Sequence, residues 1–574
     1  MRRRDLLGAV ALATALAWGN DAAAQPAWDA YLESELYPIR VHYSSSAGLD
    51  AADLVLGYAE TAWAQQVVGA GFPEPTAEDD EGTRHPGLWI YVNPDASYDT
   101  GQPIGDNPDT PRTDCTTRVI VKTLSPDWYL PLVVSHETSH ALEFSSDCGE
   151  AMFAWENTTN AMTTILDPEG TAYASYFLPT FQQYPYHGFD CVFFTSQEKA
   201  YFHYGASLFQ IFLEDRYGDY DGKLIASLWS TAQQNGTVTT VSPYGEANMT
   251  VPNSPDLLEA MDTVLQGKET TLGEAFVEFA RWRYFVGSRD DGMHFRHGAD
   301  WADCELAVDR PTLTLAELPL VATAPNHPPN AYGSSYLELD LGGLGVEQGV
   351  HFTFHGTPAS SWNVDVMLVR ADKTSDVLTV VPNDDAVADV TLSELGDYVM
   401  AVFVLSSLGD GAHDADTPKC STTFPFTYDL AVEDLAPPPE LTGVEPEELS
   451  QGSSAYAWVN GSALVEGLSA SFSGTGIEVG AIDFVDDTSF GVQLEVAEDA
   501  SLGPRDLTVT NPNGDEVTRT DAVTVVAPEG QDISGITAAG GCVCSLGAPT
   551  QSRGAAAWAL LASLSLAWAR RRRH

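Results

Sequence analysis

The residues with the most chemical consequence are His136-Glu137-Thr138-Ser139-His140. On a helix, residues four apart stand one turn apart on the same face, so both imidazoles can reach a single ion. Neutral imidazole suits zinc, and a catalytic zinc takes three protein ligands and leaves its fourth position to water. Glu137 follows the first imidazole, which places its carboxylate close to that water. There it can take a proton as the water attacks a carbonyl and pass it to the leaving amine. The spacing therefore implies amide-bond hydrolysis, with Zn2+ as cofactor and a protein or peptide as substrate. A purely structural zinc is the weaker expectation, because structural sites use four protein ligands and often Cys.

Two carboxylates compete to be the third ligand. Glu156 stands in Trp155-Glu156-Asn157, well into the next expected helix, whereas Glu150 would need a tight turn through Ser145-Ser146-Asp147-Cys148-Gly149. The oxyanion that forms during amide hydrolysis needs a donor beyond the metal. His203-Tyr204 lies where a downstream helix could supply one, with Tyr204 the candidate catalytic hydroxyl and aromatic core packing the competing role. Cys148 and Cys191 flank the second helix, and their positions suggest a disulfide bracing the site.

These groups must be held by helices. Leu132-Val133-Val134 before the motif and Ala141-Leu142 after it would bury a helix over 130–144, and a second is expected over 150–165. Apolar residues at helical spacing (Leu54, Leu56, Ala59, Ala62, Trp63, Val67, Val68) mark another over 49–72. Further helices are expected over 200–217, 222–233 and 272–285, and strands over 87–92 and 118–121. Beyond Pro311 the pattern changes. Tyr336-Leu337-Glu338-Leu339-Asp340-Leu341 alternates apolar and polar residues as a half-buried strand does. Ala436-Pro437-Pro438-Pro439 reads as a stiff linker, and a further all-β unit follows it.

Several stretches resemble known families. Val134 to Phe144 around the motif, Trp155-Glu156, Tyr204-Gly205-Ala206-Ser207-Leu208-Phe209 and Phe279-Ala280-Arg281-Trp282 resemble the gluzincin metallopeptidases, and more narrowly the secreted metallopeptidases of myxobacteria. The resemblance covers roughly 28–310 and implies His136, His140 and Glu156 as metal ligands and Glu137 as the base. Asn157-Thr158-Thr159 departs from the smaller residues usual after the ligand Glu, which keeps Glu150 open as the alternative. Gly443-Val444-Glu445-Pro446 and the stretch 502–512 resemble immunoglobulin-like domains of the plexin and transcription-factor kind. Gly540-Gly541-Cys542-Val543-Cys544, then an apolar stretch over 554–569 and an arginine cluster over 570–573, resembles the C-terminal sorting signal of myxobacterial surface proteins.

The N-terminus also carries an address. Arg2-Arg3-Arg4, an apolar stretch and Asp21-Ala22-Ala23-Ala24 have the form of a signal peptide cleaved after Ala24. Export leads to an oxidising compartment, yet Cys115, Cys148, Cys191, Cys304 and Cys420 are odd in number and cannot all pair. A net charge of −54 over 574 residues argues against nucleic acid or anionic lipid as a partner. Acidic runs such as Asp79-Asp80-Glu81 either solvate the surface or bind Ca2+, although none has the spacing of a calcium loop.

The expected organisation is multidomain: a signal peptide (1–24), an α+β zincin-like catalytic domain (25–310), a β-sandwich (311–436), an immunoglobulin-like domain (437–527) and a linker with a C-terminal sorting or membrane segment (528–574). The membrane would be engaged only through that last segment, and the bulk of the chain would work outside the cell. The alternative is a surface adhesion or scaffold protein whose zincin domain is inactive.

Overall fold

The computed structural model describes residues 28, 30–96, 99–122, 128–167, 169–193, 196–238, 254–411, 420–435 and 437–528. The expected signal peptide and C-terminal segment lie outside these residues. No helix among the described residues is long and apolar enough to cross a membrane.

Alternating Ile39, Val41, Leu88, Ile90, Val92, Val119 and Val121 point to one side of a mixed sheet and form its core. The sheet contains β1 (Ala30–Glu33), β2 (Ile39–Tyr43), β3 (Thr76–Glu78), β4 (Arg84–Pro86), β5 (Leu88–Val92), β6 (Thr100–Asp106) and β7 (Cys115–Val121). Its order is β1-β2-β5-β7-β3-β4, with β6 lying antiparallel along β7. Helix α1 (Leu49–Trp63) lays Ala52, Val55, Ala59 and Trp63 onto this core and continues into a π-helical segment, Ala64–Ala70.

The helical region follows, comprising α2 (Leu130–Phe144), α3 (Met152–Leu166), α4 (Gly170–Gln183), α5 (Phe202–Gly205), α6 (Ser207–Tyr217), α7 (Lys223–Ala232), α8 (Leu257–Gln266) and α9 (Leu272–Trp282). Leu142, Phe153, Met162, Leu178, Phe209, Trp229 and Phe276 belong to its shared core. Capping boxes at Asp256/Glu259 and Thr271/Glu274 start α8 and α9, each satisfying backbone N–H groups that have no partner within the helix.

Eight strands then build two four-stranded sheets: β8 (Leu320–Thr323), β9 (Gly333–Asp340), β10 (Gln348–Gly356), β11 (Ser361–Val369), β12 (Ser375–Val380), β13 (Val387–Leu392), β14 (Met400–Gly409) and β15 (Phe426–Asp434). Their orders are β13-β10-β15-β8 and β12-β11-β14-β9. The second sheet docks on α9 and the residues after it. Tyr336 Oη donates to the Ala280 carbonyl at 2.7 Å, Arg281 meets Asp365 at 2.8 Å, and Tyr284 Oη donates to Glu338 at 2.9 Å.

By compactness the chain divides at Pro437, so the sheet, helices and this β-region form one unit. The second unit holds β16 (Glu440–Glu445), β17 (Glu448–Ser450), β18 (Ser454–Ser462), β19 (Ser469–Phe472), β20 (Ile477–Asp486), β21 (Ser489–Val496), β22 (Gly503–Thr510) and β23 (Glu516–Val526). These strands make sheets β16-β18-β21-β20 and β17-β23-β22-β19 around Val459, Phe490, Val492, Leu494 and Val509. The chain is thus multidomain, with a mixed helix-and-sheet N-terminal region and β-sheets beyond it.

The expected Cys148–Cys191 disulfide is not formed. Cys115 pairs with Cys148 and Cys191 with Cys420, leaving Cys304 as a buried free thiol. The Cys148 N–H donates to the Thr113 carbonyl at 3.0 Å, which lays the turn after α2 along the start of β7 and brings Cys115 to hand. Cys191 follows His187, whose Nδ1 lies 2.6 Å from Asn330 Oδ1. Asn330 Nδ2 in turn donates to the Thr422 carbonyl at 2.6 Å, so the chain there already runs beside Cys420.

Candidate metal centre

Helix α2 begins after Tyr129 with Pro131 in its first turn, where the missing N–H costs nothing. From Leu132 to Phe144 every side chain is buried, polar ones included. One side of the helix is held by the π-helical segment. Buried Gln66 donates to the Ser135 carbonyl and hydroxyl at 3.0 and 3.1 Å and accepts from Ser139 Oγ at 2.9 Å. A π segment turns its residues out of the α-helical register, here carrying an amide to the face of α2 that adjoins the imidazoles.

His136 and His140 stand on the neighbouring face with ring centroids 4.7 Å apart. Helix α3 brings Glu156 up to them. Its Oε2 lies 3.7 Å from His136 Nε2 and 3.6 Å from His140 Nε2. The three offer ligand atoms within 4.8 Å of one another and form the only metal-competent group among the described residues. Two ligands of a tetrahedral zinc, each about 2.0–2.1 Å from the ion, lie roughly 3.4 Å apart, close to these separations. Glu156 Oε2 is buried and accepts no hydrogen bond, as expected of an oxygen reserved for a cation. The residues present therefore fit a metal ion. Glu150 is placed elsewhere, its Oε2 accepting the backbone N–H of Leu257 at the start of α8 at 3.1 Å.

Burial pushes the Glu137 carboxyl up to about 8, against the opposing pull of His140 and of the Gly101 N–H, which donates to its Oε2 at 2.6 Å. Burial, reinforced by His140, holds His136 down to about 3. For His140 burial acts in the same direction, but the carboxylates of Glu156 and Glu143 outweigh it and hold the ring well above the usual value. Burial would raise Glu156, but His140 and His136 overcome it and bring the carboxyl to about 2.

Tyr204 does reach the centre from α5, and its hydroxyl donates to Glu156 Oε1 at 3.0 Å. His203 beside it is buried, and burial lowers it to about 4. A second tyrosine escaped the reading of the sequence. Tyr173 on α4 places its hydroxyl 3.3 Å from His136 Nδ1. Tyr129, Tyr173, Tyr176, Phe177, Tyr201 and Tyr204 gather around Leu132 as an aromatic wall beside the ligands. Glu143, three residues beyond His140 on α2, also belongs to the centre. It is fully buried, 3.4 Å from His140 Nδ1, and accepts from the hydroxyls of Thr158 and Thr159 at 2.6 and 2.8 Å. The signal available in sequence was its spacing, three residues after His140, which returns it to the same helical face.

Strand β6 passes directly over this face. A Cβ on Gly101 would lie 2.6 Å from His140 Cβ and 2.7 Å from the Glu137 carbonyl oxygen, so only glycine allows the approach. Among the described strands β6 pairs only with β7, and its Gly101 N–H is directed at Glu137.

The acidic run Asp79-Asp80-Glu81 is engaged in a turn. Asp79 Oδ1 accepts from the Glu81 and Thr83 N–H groups at 3.0 and 2.8 Å, and its Oδ2 meets His85 at 2.9 Å. Asp80 meets Arg118 at 3.0 Å.

No protein-family model and no curated protein matches this chain.

Proposed function

We propose that the protein is a zinc metallopeptidase that hydrolyses peptide bonds of proteins outside the cell. The observation carrying this reading is the convergence of the buried His136, His140 and Glu156 with the Glu137 carboxyl group beneath strand β6. Two imidazoles and one carboxylate favour zinc over calcium or magnesium, which prefer all-oxygen sites. Zinc, when bound, polarises a carbonyl and acidifies water.

The chain's own groups supply the rest. Glu137 takes the proton of the attacking water and returns it to the leaving amine. Strand β6, which has no strand partner beyond β7 among the described residues, is the element that would align an extended peptide by main-chain hydrogen bonds. Tyr204 orients Glu156 through its hydroxyl, and Tyr173 lies close enough to do the same for His136. The helix pair with strand β6 fits a zincin-like domain, the first β-region a β-sandwich and the second an immunoglobulin-like module.

The test is zinc content of the purified protein beside His140→Ala, with hydrolysis of casein compared between wild type and Glu137→Ala. About one zinc per chain, lost in His140→Ala, is expected. Hydrolysis should fall in Glu137→Ala by about 10²–10⁴-fold with zinc retained. Absence of zinc from the wild type after reconstitution would defeat the reading.

A further inference from the structure

We propose that Glu143 is a positioning residue for the metal, fixing the ring of His140 so that its Nε2 lone pair faces Glu156. The proposal rests on the metal reading above and names a group beyond its ligands and base.

The argument is one of donors and acceptors. Glu143 is fully buried, and its contacts include no Lys or Arg. A carboxylate taken out of water with no Lys or Arg beside it is costly, so its place beside His140 needs a reason. Thr159 has a single hydroxyl hydrogen, and its oxygen lies 2.8 Å from Glu143 Oε2 but 3.3 Å from His140 Nδ1. The hydrogen therefore goes to Glu143, and the Thr159 oxygen can meet His140 Nδ1 only as an acceptor. Glu143 Oε2, 3.4 Å from the same nitrogen, is likewise an acceptor only. Both neighbours of Nδ1 thus demand a proton there. In the neutral, metal-binding form of the ring, a proton on Nδ1 leaves Nε2 as the donor atom, on the side where Glu156 Oε2 stands 3.6 Å away.

The carboxylate is itself held from the far side. Thr158 Oγ1 lies 2.6 Å from Glu143 Oε1 and accepts from the indole N–H of Trp229 at 3.2 Å. Helix α7 is thereby tied through α3 to the ligand helix. The arrangement is a carboxylate behind an imidazole behind a metal site, in which the outer anion makes the ring a better donor and forbids it to rotate. Its parts come from different elements: Glu143 lies three residues after His140 on α2, Thr158 and Thr159 on α3, and Trp229 on α7.

The experiment uses the full chain. Zinc dissociation constants are measured by competition with a chromophoric chelator for wild type, Glu143→Gln and Thr159→Val. Alongside, the visible spectrum of the cobalt-substituted protein and the melting temperature of the metal-free protein are recorded. Glu143→Gln keeps the size of the side chain and removes its charge. It is expected to weaken zinc binding about 10–100-fold and to change the cobalt spectrum. Metal-free melting separates a change in the stability of the fold from a change in its affinity for the metal. A merely structural residue would lower melting and leave the affinity of the folded protein alone. Wild-type zinc affinity and an unchanged cobalt spectrum in Glu143→Gln would overturn the proposal. Should that variant fail to fold, Thr159→Val decides in its place, with weaker zinc binding expected and unchanged binding overturning the idea. A wild type that binds no zinc would overturn the metal reading and this proposal together, an outcome distinct from zinc bound equally by wild type and Glu143→Gln.

Discussion

Two regions of the chain fill their interiors by different rules. In the terminal β-unit burial is almost wholly apolar and follows strand alternation. β21 buries Phe490, Val492, Leu494 and Val496 and exposes Gln493 and Glu495 between them. Around the metal centre α2 and α3 bury Ser135, Thr138, Ser139, Glu143, Glu156, Asn157, Thr158, Thr159 and Asn160. Buried polar atoms are tolerable only when paired, and much of the pairing here is local. Asn160 Nδ2 donates to the Glu156 carbonyl at 2.7 Å and Thr163 Oγ1 to that of Thr159 at 3.0 Å. The first region is arranged for stability. In the second, polarity is placed inside for the sake of what it positions.

The comparison can be tested from both sides. The largest effect is expected in the terminal unit, where Leu494→Ala should cost about 2–5 kcal/mol of that unit's stability through lost transfer energy and an unfilled cavity. Zinc binding and hydrolysis by the first unit should be untouched. A parallel loss of activity, measured beside chemical denaturation, would show that the two regions are not independent.

The next effect belongs to the first unit and depends on pH. His187 is neutral, brought down to about 4 by burial, and accepts at Nε2 from Lys199 Nζ at 2.7 Å. Its folded pKa lies below the unfolded value. Its contribution is therefore fully present above about 6.5 and disappears as pH falls towards 4. Between pH 7 and 4.5 wild type should lose up to about 3 kcal/mol more than His187→Gln. The sequence from 437 to 528 contains no histidine, so denaturation of the terminal unit should lack this step.

The smallest effect is at the point of closest approach. Gly101→Ala should cost about 1–3 kcal/mol by forcing β6 off α2, and it should weaken zinc binding in the same variant. Unchanged zinc affinity would show that β6 is free to move without disturbing the ligands.

The parts of this molecule legible in its sequence were those with a period or a motif. The His136/His140 pair and the helix over 130–144 lie where periodicity placed them, whereas the strand expected to be half-buried at Tyr336 to Leu341 is buried on both faces as far as Leu339, because its polar face packs on α9 and the residues after it. The third ligand stayed open between Glu150 and Glu156, because the choice depends on where the turn after α2 goes, and a disulfide to β7 directs that turn. Helix α4 went unread because Gly170 and Pro179 interrupt its pattern, and with it went Tyr173. The helix expected over 200–217 divides at Ala206 into α5 and α6, and that break aims Tyr204 at Glu156. Strand β6 offered no alternating apolar residues, since Thr-Gly-Gln-Pro-Ile-Gly-Asp is held by backbone pairing and by its fit to a helix. The Glu143 contacts were out of reach because they are made in space by Thr158, Thr159 and Trp229.

The two disulfides also settle how the first unit would carry a mechanical load. Tension applied between residues 28 and 435 follows the shortest covalent route, crossing from Cys115 to Cys148 and from Cys191 to Cys420. Residues 116–147 and 192–419 are bypassed, and α2 with both imidazoles lies in the first slack loop. Helix α3, carrying Glu156, lies on the taut stretch between Cys148 and Cys191. The two sides of the metal centre therefore stand on different covalent paths, the histidine pair within a bypassed loop and Glu156 on the stretch between the two disulfides.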